Sequence, residues 1–179
     1  MSSLDRYERF SSALITAGEE ARPLPALPNV RYETEFVPDS RLRELQNECE
    51  VHVIPSQAEA YGHVIGEAMS CGAVVVTTDA PPMNELVAFD RGVLIRVTRS
   101  EPMRRSMRSY IDVSDLEAKL NQVFVMSPEH RAELGRNARA WYEAQHLRFE
   151  ASLRALLDEL PQTVVRKPSG NQGNGRALR

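Results

Sequence analysis

Apolar and polar positions divide the chain into short strands and helices that take turns. Residues 4–15 carry apolar side chains at Leu4, Tyr7, Phe10, Leu14 and Ile15 with charges opposite, which is amphipathic-helix spacing, and Gly18 stops the pattern. A Pro-rich loop covers 21–28, and Val30, Tyr32 and Phe36 then mark a strand over 29–36. Asp39 or Ser40 is placed to cap a helix that reaches Cys49 with Leu42 and Leu45 turned inward. Val51, Val53 and Ile54 favour a strand, and Pro55-Ser56 ends it. From Gly62 onward Val64, Ile65, Ala68 and Met69 recur at helical spacing as far as Gly72, a residue suited to a left-handed C-terminal turn. Residues 73–77 form a continuous apolar run, as expected of a parallel strand buried on both faces. The stretch 55–85 therefore centres on a β-α-β unit.

Beyond Asp79, Pro81-Pro82 blocks immediate helix formation, and Asn84 and Glu85 begin a short turn, with backbone capping by Asn84 as one role. Residues 92–95 make a further strand. Residues 96–110 hold Arg96, Arg99, Arg104, Arg105 and Arg108 with little apolar periodicity. Two readings stand: an anion-binding loop that reaches a diphosphate, or a solvated insertion. The last third is helical. Ser114 and Glu117 have capping-box spacing ahead of Leu116, Leu120 and Val123. Ser127-Pro128 opens a helix that carries Leu134, Ala138, Trp141 and Tyr142 and continues over 149–160. From Pro161 the periodicity is lost, and a disordered tail is expected. The chain thus divides into an N-terminal helix and loop (1–28), an α/β domain (29–160) and a tail (161–179).

Composition narrows the class. With 179 residues, 42% of them hydrophobic, the chain has enough for one domain with a real core. A net charge of −3 without a long basic stripe argues against a nucleic-acid partner. Cys49 and Cys71 have neither metal-ligand spacing nor the look of a disulfide framework. No signal-peptide core and no run of membrane-spanning length occur in the sequence, so a cytoplasmic protein is expected.

The chemistry lies at one edge of the β-α-β unit. Glu59 falls in the loop and Glu67 in the second helical turn, with seven residues between them. The first helical N–H groups, near Gly62, His63 and Val64, have no intrahelical partners and carry the positive end of the helix dipole, which suits a phosphate. Gly62, lacking a Cβ, lets a ligand approach the backbone. Gly66 inside the helix costs about 1 kcal/mol against Ala. Either close approach of a ligand or packing against a neighbouring helix would explain it. The two glutamates are likewise site carboxylates or ordinary solvated ones.

The order P-S-x-x-E-x-x-G-x-x-x-x-E-A-x-x-x-G-x-x-V-V-x-T-D, from Pro55 to Asp79, resembles the signature of retaining GT-B glycosyltransferases, more narrowly of family 4, also called group 1. Glu59 and Glu67 fall on that family's E-x7-E pair, and PPMNE at Pro81 to Glu85 resembles its next loop. The resemblance implies an α/β fold, a Rossmann-like parallel sheet flanked by helices that forms the C-terminal half of a GT-B fold, with a helical C-terminal part. It gives Glu59 the catalytic position, contacting donor-sugar hydroxyls, and Glu67 the ribose diol. Backbone N–H groups near Gly62, His63 and Val64 would hold the leaving diphosphate, and Asn84 and Glu85 are further donor contacts. It also places Val37-Pro38 near the base. It implies a nucleotide-diphosphate sugar as donor, transfer of a hexosyl group with retention, no cofactor and no obligatory metal. The sequence has no Asp-x-Asp run. His63, Gly66 and Ala60 depart from the family's commoner residues.

The resemblance covers about residues 29–157. A full enzyme of the type has a second, N-terminal domain, and a further strand bearing an Arg/Lys pair on the diphosphate. Neither has a counterpart in this sequence. Three readings follow: the donor-binding portion of a glycosyltransferase, a binding subunit whose cleft is completed by a second chain, or a structural remnant, with a homodimer through an open sheet edge as one form.

Overall fold

A computed structural model describes residues 12–15, 30–33 and 35–160. Its centre is a three-stranded parallel sheet in the order β3 (Val51–Ile54), β4 (Val74–Thr78), β5 (Gly92–Ile95). A separate parallel pair, β1 (Ser12–Ile15) and β2 (Val30–Glu33), precedes it. Helices connect the strands: α1 (Asp39–Glu48), α2 (His63–Ser70) and the short α3 (Met83–Leu86). An antiparallel hairpin, β6 (Val97–Met103) and β7 (Ser106–Ile111), rises from the end of β5, and α4 (Val113–Val125) and α5 (Pro128–Glu159) close the chain.

All five residues of β4 are buried, as a continuous apolar run predicts for a central parallel strand. Val75 joins Ile65, Ala68 and Met69 of α2 and Met83 of α3 on one face. Val74 and Val76 join Val93, Ile95 and Val123 of α4 on the other. The helix α5 serves both clusters, through Leu134 and Ala138. It runs antiparallel to α2: Gly135 lies against Gly72 at one end, and the Tyr142 ring lies 3.2 Å from the Cβ position of Gly66 at the other. Gly135 has no room for a side chain there, because the Gly72 carbonyl occupies the place.

Several sequence-based expectations need correction. Residues 12–15 are a strand, not part of a helix; a short apolar run fits both periods, and parallel pairing with β2 decides it. The rest of the expected helix over 4–15, the whole 21–28 loop and the tail over 161–179 lie outside the described residues. The basic stretch 96–110 is a hairpin whose two exposed faces erase the alternation that would have marked it. The cap of α4 is Asp112, which accepts from the N–H groups of Ser114 and Asp115, and not Ser114 paired with Glu117. Asp39 and Ser40 are already helical, and Pro38 stands at the cap of α1 without a side-chain bond. Ser127 caps α5 and Pro128 is its first residue, as expected, and the helix continues as one 32-residue element. Among the described residues β3 pairs on one side only, with β4. None of their helices is long and apolar enough to cross a membrane.

Candidate donor-binding site

Parallel strands deliver their following loops to one sheet edge. The loop between β3 and α2 is fixed there by three backbone carbonyls. Ile54 accepts from the Thr77 hydroxyl, Ser56 from the Thr78 hydroxyl and Gln57 from the Ser109 N–H, each at 2.7 Å. The two threonines are fully buried at the end of an otherwise apolar strand, where an unbonded hydroxyl would be costly. Ser56 also donates to Glu59 Oε1 at 2.7 Å, which holds that half-buried carboxylate in the loop.

Gly62 turns the loop into α2 with φ 82°, a left-handed conformation that other residues adopt at a cost. A Cβ there would lie 2.6 Å from Leu86 Cδ1, so Leu86 of α3, and not a ligand, fills that space. No side chain caps the helix, and its first internal bond runs from the Gly66 N–H to the Gly62 carbonyl at 3.0 Å. The N–H groups of His63, Val64 and Ile65 precede that bond and lack intrahelical acceptors. Those of His63 and Val64 belong to exposed residues and are open to an anion, whereas Ile65 is fully buried. His63 and Val64 are exposed, and the His63 ring tilts against Tyr61 with centroids 4.9 Å apart. Val64 was expected in the apolar stripe. It faces outward, while Ile65, Ala68 and Met69 are buried.

Glu67 sits one turn from His63 on the same helix face. It accepts from Gln46 Nε2 of α1 at 2.9 Å, and the Gln46 carbonyl accepts from His52 Nε2 of β3 at 3.0 Å. Burial pushes the pKa of His52 down, which favours the neutral ring in this position. Glu67 and Ser70 line a cavity of about 510 Å³ with Arg43 and Gln46 of α1 and Arg139 of α5. Glu59 does not line it.

Of the two readings of Gly66, the structure supports packing: its missing Cβ admits Tyr142. Asn84 caps nothing. Its side chain donates to Asp79 Oδ1 at 2.9 Å, and Pro82 occupies the cap position of α3. Glu85 is exposed in the same helix. Leu86 joins α3 to the N-terminus of α2, so this loop borders the site without placing Asn84 or Glu85 in the cavity. Sequence reasoning missed Ser56, Gln46, Thr77 and Thr78. Serine three residues before Glu59, and two threonines closing an apolar strand, were the available signals. Gln46 left none, because a polar residue on an exposed helix face has no pattern to break.

The sequence model of the family described as "Glycosyl transferases group 1" matches residues 27–141. A comparison with curated protein sequences gives no match. Among solved structures, the C-terminal domain of a group 1 glycosyl transferase, LpcC of Francisella tularensis, is similar at 14% identity and a TM-score of 0.53, covering 66% of this chain and 54% of that one. HepE of Anabaena, solved with UDP-glucose, is similar at 23% identity and a TM-score of 0.55, covering 74% of this chain and 33% of that one. Sucrose-phosphate synthase of Thermosynechococcus elongatus gives 22% and 0.52, covering 74% and 31%. The chain therefore matches about a third of the length of these last two proteins and about half of the first. Those likenesses show a Rossmann-like parallel sheet flanked by helices, the C-terminal half of the GT-B fold. With that fold, and with the family match spanning most of the chain, the protein belongs to the group 1 glycosyl transferases.

Proposed function

We propose that this chain binds a nucleotide-diphosphate sugar and forms the donor-binding portion of a glycosyl transferase that passes a hexosyl group to an acceptor with retention. The observation that carries it is the uncapped N-terminus of α2, bracketed by Glu59 in the loop and Glu67 one turn into the helix. The N–H groups of His63 and Val64 and the helix dipole stabilise the negative charge that builds on the diphosphate as the bond from the sugar to its oxygen breaks. Glu67 exchanges its Gln46 bond for the two hydroxyls of a ribose, which its acceptor oxygens suit. Glu59, oriented by Ser56, takes the sugar hydroxyls. Val37-Pro38 lies near the base, Asn84 and Glu85 stand at the rim, and no obligatory metal takes part. A structure solved with UDP-glucose among the similar folds supports this donor class.

A second reading concerns the partner. The matched stretch is about a third of the length of HepE, the GtfA/B complex is among the similar folds, and β3 has an unpaired edge. These support a second chain or domain that supplies the acceptor-binding half. A homodimer through that edge is the competing assembly, and cross-linking with mass measurement separates them.

Calorimetric titration with UDP, GDP, ADP and their sugar conjugates tests the donor site. Glu67→Ala should weaken nucleotide binding about 10- to 100-fold, the scale of charge-assisted hydrogen bonds. Glu59→Ala should lower affinity for the sugar conjugate and spare the plain nucleotide. Equal losses for both ligands in Glu59→Ala would sink that division of roles.

A further inference from the structure

The helix α5 outruns the body it packs on. Leu134, Gly135 and Ala138 are buried, and Trp141 and Tyr142 are half-buried, with Tyr142 set against Gly66 near the start of α2. The helix then continues for about five turns. Every residue over 151–160 is exposed. Six of the fourteen large hydrophobic side chains exposed among the described residues fall within 147–160, among them Phe149 at 59% and Leu156 at 56% exposure.

Those side chains follow a pattern. Phe149, Leu153, Leu156 and Leu160 recur at steps of four, three and four residues, the alternation of a seam between two paired helices. At 100° per residue they fall on the same side of α5 as Leu134, Ala138 and Tyr142. The face that packs on the body therefore runs on past it with nothing against it among the described residues. A helical arm of this length draws most of its stability from what covers such a face.

Charge identifies the occupant. Arg148 stands at the near end of the seam and Asp158 and Glu159 at the far end, and none of the three forms an ion pair among the described residues. The charges between them are already matched within the helix, where Glu150 reaches Arg154 at 3.7 Å and His146 at 3.3 Å. A parallel second copy would set Arg148 beside Arg148 and Glu159 beside Glu159. An antiparallel one brings Phe149 opposite Leu160 and Leu153 opposite Leu156, and it lays Arg148 near Asp158 and Glu159 at both ends. With Leu153 and Leu156 at its centre the seam matches itself under a twofold rotation, as an isologous contact requires.

We infer that the arm of α5 over residues 147–160 is a self-association surface, on which a second copy of this chain lays the same arm antiparallel. The contact uses neither the edge of β3 nor the donor loop, so substitutions in it leave both in place.

Sedimentation equilibrium of the full chain across the micromolar range tests it, and a reversible monomer–dimer equilibrium is expected. Leu156→Glu removes a buried leucine from each copy and should weaken association about 100-fold or more. Leu156 is exposed in the single chain, so the variant should fold, which its thermal melt and the near-UV signal of Trp141 check. Arg148→Glu turns two attractive pairs into repulsions and should weaken association about tenfold. The triple reversal R148E/D158R/E159R should restore it. These exposed charge variants decide the matter even if Leu156→Glu does not fold. A chain that stays monomeric throughout would overturn the inference and leave the face to a different protein. A dimer that survives Leu156→Glu would overturn it by moving the contact to another surface, such as the edge of β3. Loss in Arg148→Glu without recovery in the triple reversal would overturn the antiparallel pairing.

Discussion

The helix α2 and the β6–β7 hairpin border the same loop, and they are held in opposite ways. The helix is fixed by apolar burial and close backbone approach: Ile65, Ala68 and Met69 are fully buried, and Gly62, Gly66 and Gly72 meet Leu86, Tyr142 and Gly135. The hairpin buries one residue, Ser109, and is held by ion pairs, a ring contact and one bond to the loop. Packing of the first kind is short-ranged and indifferent to salt. Exposed ion pairs are screened within about 8 Å at physiological ionic strength and contribute little to stability. The rigid partner presents the N–H groups proposed for the diphosphate, and the softer one braces the loop beside them through Ser109.

The largest expected effect breaks the rigid side. Gly135→Ala drives a methyl group into the Gly72 carbonyl, a backbone atom that has no rotamer to escape into. It should cost about 3 kcal/mol or more, the scale of overpacking with backbone displacement. Urea unfolding measures it, and nucleotide binding should fall as α5 is levered away from α2. A loss within experimental error would mean that the two helices do not approach as closely as Gly72 and Gly135 indicate.

The same contrast explains what the sequence revealed. Strand β4, helix α2 and the Gly72 stop were legible because burial imposes a period, and Val74 to Thr78 or Ile65, Ala68 and Met69 show it directly. The site's N-terminal N–H groups and its two glutamates were legible as a motif, and the family match over residues 27–141 agrees with that resemblance. The hairpin was not legible, since its faces are both mostly exposed and its cross-strand pairing of Glu101 with Arg108 follows no apolar rhythm. Strand β1 was hidden for the reverse reason: four residues are too few for periodicity to separate strand from helix. Gly66 was read correctly only as a choice, because the residue that settles it, Tyr142, lies 76 positions away in the chain.

A smaller effect sharpens the soft side. Glu101→Gln removes the charge that Arg99 and Arg108 share while leaving an acceptor for the Tyr110 hydroxyl. The hydrogen bond from Tyr110 and the two arginines hold the pKa of this carboxyl down, so it is charged wherever the protein is folded near neutrality. Amide exchange in β6 and β7 should speed up in the variant, with exchange in α2 unchanged. Added salt should reproduce part of the change in the parent protein. Faster exchange in α2 as well would show that the two elements are coupled rather than independently held.

The smallest effect is a pH dependence at the hairpin's foot. Asp112 caps α4 and pairs with Arg96, and its pKa is held down to about 2 from an ordinary 3.8, first by the Ser114 hydroxyl and then by the Asp115 N–H. Because the folded pKa is the lower one, the unfolded chain binds more protons between these two values, and stability rises with pH across that window. The contribution is complete above the unfolded pKa and is lost as the pH falls through about 2. Acidification should therefore loosen the start of α4 and the base of β7 before α2, whose packing against Val75 and Tyr142 is apolar. Asp112→Asn keeps one acceptor but removes the titration, so its local amide exchange should no longer steepen over that acid range. If parent and variant lost protection at α4 in step with α2 as the pH fell, the foot of the hairpin would belong to the rigid side, and the division between the two borders of the loop would have to be drawn at Ser109 instead.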